Sequence, residues 1–159
     1  MIYDDVKFEV VEADAPGMDA SEVSKPDLVV SIETPKTTIS AEDQGSPDKS
    51  TWMTITVKNV GTSDVTGPVK VIHANVTRDG VPLNSGAGYG GYFQLAYDSP
   101  LSPGEEVTHM WSPTVTTSPN TMYDPGFYTM RVEVDHLGQI DELDEGNNLS
   151  EAIEFEIVP

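Results

Sequence analysis

Short stretches in which apolar and polar residues alternate one for one constrain this chain more than any other feature. Met53-Thr54-Ile55-Thr56-Val57-Lys58 puts Met53, Ile55 and Val57 on one face. Tyr128, Met130, Val132 and Val134 share a face between Phe127 and Asp135, and Ile153, Phe155 and Ile157 alternate with Glu154 and Glu156. A period of two marks a strand buried on one side, because successive side chains leave the backbone in opposite directions. No window carries the 3.6-residue period of an amphipathic helix. The chain is therefore expected to be all-β.

Further strands are expected at Asp27–Ile32, Val69–Thr77 and Glu106–Trp111, with Gly, Pro, Asn and Asp clusters between them. The apolar phase slips between Val71 and Ile72, which suits a bulge or a strand apolar on both faces. Asp79-Gly80 predicts a two-residue hairpin turn, and Leu101-Ser102-Pro103-Gly104-Glu105 another turn. About seven such strands describe an antiparallel two-sheet β-sandwich over residues 26–159. The chain has no cysteine, so packing alone must hold its two sheets together. Residues 1–25 read as an extended N-terminal arm. In it Val6, Phe8 and Val10 alternate as one strand, which either joins a partner or folds back on its own sandwich as an extra edge strand.

The chain carries 27 acidic and 8 basic residues, a formal charge of −19. Nucleic-acid binding is not expected on this ground, since each phosphate contact needs a cation. Two readings of the acidity stand: adaptation to molar salt, or a surface module that attracts divalent cations. Carboxylates spread along the chain beside scarce lysine favour the first. No apolar run is long enough to span a bilayer. Met1-Ile2-Tyr3-Asp4-Asp5 lacks the basic and apolar regions of a secretory signal, so export by that route is not expected.

Five pieces stand in a definite order. Pro26-Asp27-Leu28-Val29-Val30 comes first, then Thr56-Val57-Lys58-Asn59-Val60-Gly61-Thr62, then Leu101-Ser102-Pro103-Gly104-Glu105. Pro125-Gly126-Phe127-Tyr128-Thr129 leads into Val132-Glu133-Val134-Asp135, and Ile140-Asp141-Glu142-Leu143-Asp144-Glu145-Gly146-Asn147-Asn148 closes the series. This succession resembles the CARDB family, the cell-adhesion-related domain found in bacteria and archaea, over roughly residues 26–158. It departs from the family in longer inserts at Pro35–Lys49 and Val81–Ser99 and in the arm. The resemblance implies an immunoglobulin-like building or adhesion module, usually repeated in long surface proteins, without catalysis.

The strongest candidate for chemistry is the acidic turn. Asp135, Asp141, Glu142, Asp144, Asn147 and Asn148 offer the oxygen donors that calcium prefers, though not in the EF-hand order. The competing reading is that Asp144 and Asn147 or Asn148 bond to their own backbone and shape a tight turn before the last strand. Tyr89, Tyr92, Phe93 and Tyr97 stud a glycine-rich loop and form a second candidate contact surface. The glycines Gly86–Gly91 precede no Gly-Lys-Ser/Thr, so phosphate cradling is not expected. His73, His109 and His136 lie on different elements, and nothing in their spacing gathers them on a metal. One of Trp52 and Trp111 is expected to fill or cover the core. Asn75-Val76-Thr77 and Asn148-Leu149-Ser150 match the N-glycosylation pattern, which is common by chance.

No nucleophile elbow or distinct acid–base pair is present, so an enzyme is not expected. The reading taken forward is a structural protein on a virion surface, a capsid decoration, turret or tail component of a virus of a halophilic archaeon. The arm, the missing signal and the acidity motivate it, with an analogy to tailed viruses. The alternative is an adhesion module of a bacterial or archaeal cell-surface protein. Expected partners are proteins of a larger assembly, including copies of itself, with a carbohydrate possible under the adhesion reading. Neither nucleic acid nor membrane insertion is expected, and no cofactor beyond calcium.

Overall fold

The computed structural model describes residues 23–40, 53–83, 92–95, 100–111 and 124–159, the 92–95 segment by its backbone alone. Val6, Phe8, Val10, Tyr89 and Tyr97 lie outside these residues, as do Trp52 and the Gly86–Gly91 run. Nine strands run through the described residues: β1 Leu28–Glu33, β2 Thr38–Ser40, β3 Met53–Asn59, β4 Val69–Arg78, β5 Val81–Pro82, β6 Tyr92–Leu95, β7 Glu106–Trp111, β8 Gly126–Val134 and β9 Ile153–Val158. One sheet has the order β1-β3-β7, and the other β2-β9-β8-β4-β5, with β6 also paired to β4. Among the described residues no helix is long and apolar enough to cross a membrane.

The strands expected from Pro26 onward are all present. Three more were not legible: β2, β5 and β6. The chain crosses from one sheet to the other at residues 34–37, and β2 then lies parallel to β9, with Ile39 opposite Ile157. Among the described residues the sandwich thus has one parallel pair in an otherwise antiparallel scheme. A second correction concerns Tyr92 and Phe93, which were assigned to a loop. Their backbone forms β6, opposite Ile72 and Val71 of β4.

The bulge in β4 is real but sits further along than expected. Val69, Val71 and His73 are buried on one phase and Ala74 and Val76 on the other. Pairing with β8 slips between Ala74 and Thr77. Asn75 absorbs the extra residue at φ 50°, a left-handed conformation that asparagine tolerates better than most residues. At the end of the same strand Asp79 and Gly80 have φ of 51° and 76°. With Arg78 paired to Val81, this is the two-residue turn with both centres left-handed, whose twist matches that of its strands.

The core lies between the sheets. Leu28, Val30, Ile32, Met53, Ile55 and Val57 face Val71, Met130, Val132, Val134, Phe155 and Ile157. Each such side chain stabilises the fold by roughly 1.5–3 kcal/mol on burial. Tyr128 stacks on Phe155 with ring centres 5.2 Å apart. Trp111 of β7 meets His73 of β4 edge-on at 4.4 Å, joining the two sheets at the rim of the core. Burial lowers the His73 pKa to about 4.

Candidate functional site: the acidic turn

The segment before β1 is seated by the loop that follows β3. Asn59 is fully buried and uses its whole side-chain amide. Its Nδ2 donates to the carbonyls of Ser63 (2.8 Å) and Leu101 (2.9 Å). Its Oδ1 accepts the N–H groups of Gly61 (3.0 Å) and Asp27 (3.2 Å). Gly61 is required by close approach: a Cβ there would lie 2.5 Å from backbone atoms of Lys25, Pro26 and Asp27. The N–H groups of Thr62 and Ser63 donate to the Lys25 carbonyl at 2.8 and 3.2 Å. Asn59 and Gly61 stand in the second of the five ordered pieces, but the hub they form was not read from the sequence. The Asn-x-Gly spacing was the available signal.

The acidic turn grips the same segment from the other side. Asp135, at φ 44°, accepts the N–H groups of Gln139 (3.1 Å) and Ile140 (2.7 Å), one on each carboxylate oxygen. Glu142 is only 3% exposed. Its Oε2 accepts the Leu28 N–H at 2.5 Å and its Oε1 accepts the Asn148 Nδ2 at 3.0 Å. The Glu142 N–H donates to Glu145 Oε1 at 2.9 Å, and Asp144 Oδ1 accepts the Gly146 N–H at 2.8 Å. Leu143 donates its N–H to the Pro26 carbonyl at 2.9 Å. Asn147 Nδ2 donates to Asp27 Oδ1 at 2.7 Å. Lys25 pairs with Asp141 at 2.5 Å in an exposed position.

The electrostatics follow from this packing. Burial pushes the Glu142 carboxyl above the usual carboxylate range. The Leu28 N–H and the Asn148 amide oppose that rise, and the charges of Glu145 and Asp135 add to it.

The residues read as calcium ligands therefore sit on one turn, as expected, but their carboxylates answer N–H groups and a lysine of the fold. Asp144 does shape the turn through its own backbone. Asn147 and Asn148 instead reach Asp27 and Glu142. The buried Oδ1 atoms of Asn147 and Asn148 accept no hydrogen bond among the described residues. Among the described residues no three His, Cys, Asp or Glu side chains gather in a way that could hold a metal ion.

Of the sequons, Asn75 is exposed. Asn148 is buried with its amide on Glu142, which shields it from a glycan in the folded chain. Trp111 packs at the core as one tryptophan was expected to.

Two sheets packed face to face about an apolar core define an immunoglobulin-like β-sandwich module. The CARDB family model matches residues 25–152, and the chain belongs to that family, whose domain is a non-catalytic, adhesion-type fold. The crystal structure of the CARDB domain of a Pyrococcus furiosus protein, in complex with di-metal ions, is similar. It shares 24% identity at a TM-score of 0.52, over 84% of this chain and 90% of that one. The solution structure of the same domain gives 23% identity and a TM-score of 0.54, over 85% and 97% of the two chains. At these identities the likeness concerns the fold. No curated protein matches the chain.

Proposed function

We propose that this domain is an adhesion module of a bacterial or archaeal cell-surface protein, joined there to other proteins, copies of itself among them. The observation that carries the reading is membership of the CARDB family across residues 25–152. The acidic turn is consistent with it. The buried Glu142 carboxylate fastens the first strand, which suits a module built for rigidity. The virion reading rests on the arm, the lack of a signal and a charge of −19, and the family match favours the adhesion module over it. The di-metal ions are those of the Pyrococcus domain.

Antibodies raised against the domain, applied to intact cells of its source, test the reading. Labelling that surface protease removes supports it. Labelling of purified virus particles alone restores the virion reading, and labelling only after permeabilisation sinks both.

A further inference from the structure

The outer face of the six-stranded sheet carries a groove that the acidic turn does not touch. Phe127 of β8 lies opposite Glu156 of β9, and Thr129 lies opposite Glu154. Thr38 of β2 flanks Glu156 on its other side. Side chains directly opposed on one face of a sheet stand roughly 5 Å apart at Cβ, so these five make one continuous patch. With Thr37 they line an open groove of about 420 Å³.

Phe127 is 64% exposed. Strand alternation forces it outward, since Tyr128 takes the inward place in the core. A large apolar ring in water, opposite the Glu156 carboxylate and diagonal to that of Glu154, is an unusual choice for a solvated face. The described ion pairs, Lys25–Asp141 and Arg78–Asp124, lie elsewhere. Arg131, further along the same face of β8, stands across from Ala74 of β4 and outside the groove.

We propose that this groove receives a lysine or arginine side chain from an extended basic segment of a partner protein. The aliphatic stem would lie on the Phe127 ring, where a cation gains from the ring's negative face. The charged head would meet Glu154 and Glu156, and the Thr38 and Thr129 hydroxyls would accept its remaining donors. Charge complementarity selects this occupant. With 8 basic residues against 27 acidic ones, the chain draws cationic segments towards itself and offers few of its own. The proposal rests on reading the domain as an interaction module, whatever surface displays it.

The test is an NMR titration of the isotope-labelled full chain with a short lysine-rich peptide. Its glutamine-for-lysine counterpart and a neutral oligosaccharide serve as further probes. Affinities are compared for Phe127→Ala, for Glu154→Gln combined with Glu156→Gln, and for the control Glu33→Gln on the other sheet. Amide shifts confined to Phe127, Thr129, Glu154 and Glu156 are expected with the lysine peptide alone. Phe127→Ala and the double variant should each weaken binding about tenfold, and the control less than about twofold. Equal losses in all three variants would mean diffuse attraction to an acidic protein and would overturn the proposal. So would shifts outside the groove, or groove shifts with the oligosaccharide instead of the peptide. All four substituted side chains lie outside the core, and a thermal melt of each variant checks that it folds. Antibody labelling of cells does not depend on them, so failure here and failure of the surface reading are separable.

Discussion

The carboxylate of Glu142 accepts the backbone N–H of Leu28 across 114 residues of sequence. This bond fastens the first strand to the last turn. Glu142→Ala leaves that N–H and the Asn148 amide buried without an acceptor. Such losses cost about 1–3 kcal/mol each, and urea denaturation should show a destabilisation of roughly 3 kcal/mol. Glu142→Gln should cost far less, because its amide can donate to Asn148 Oδ1 once Asn148 flips.

The same glutamate sets a pH dependence. Its carboxyl is raised in the folded chain relative to its ordinary value near 4.5. Its stabilising contribution is therefore complete below that value and is lost as pH rises through the raised one. Denaturation of Glu142→Gln across pH 4 to 7 should lack this downward component. An unchanged pH profile would show that burial does not govern the group.

His73 acts in the opposite sense. Its pKa falls from 6.5 to about 4 on burial, so its contribution is complete above 6.5 and is lost as pH drops towards 4. The shift corresponds to roughly 3 kcal/mol. The stability difference between pH 7 and pH 4 should shrink by about that amount in His73→Gln.

Asn59→Ala removes four hydrogen bonds at the seat of the segment before β1. A loss of roughly 4 kcal/mol is expected, with the Asp27 and Leu28 amides exchanging hydrogen faster than the rest of the sheet. Gly61→Ala should give the same exchange pattern by pushing on the backbone of residues 25–27.

Raising sodium chloride should raise the melting temperature, because screening weakens repulsion in a chain of charge −19. At matched ionic strength calcium should add nothing to sodium, since the turn's carboxylates are already engaged. A calcium-specific rise reversed by chelator would show that the turn rearranges around the ion.

Alternation made the sandwich legible. Met53, Ile55 and Val57 had to face inward, and Tyr128 to Val134 gave the opposing face. Asp79-Gly80 identified its turn because few other pairs tolerate two left-handed residues. The parallel strand at Thr38–Ser40 left no such mark, since three residues carry no period and their partner lies more than a hundred positions away. The bulge was expected too early because Ile72 is apolar yet only partly buried, while His73 takes the inward place. At the acidic turn, composition revealed the donors and not their partners. Lys25, Pro26, Asp27 and Leu28 reach the turn only through the fold. Phe127 was readable as outward-facing, but the carboxylates around it required the register of β8 with β9.

The parallel pairing of β2 with β9 has a mechanical consequence. The two strands run the same way, so the chain arrives at one pole of this pair and leaves at the other. Tension applied to the two flanks would slide β2 against β9 along their length. Their cross-links would then bear load together instead of opening in sequence like a zipper. Ile39→Pro removes a backbone donor from this edge and should lower the unfolding force in single-molecule pulling. In a chain of such domains, the three residues of β2 would help set how hard a tether can be pulled before it lengthens.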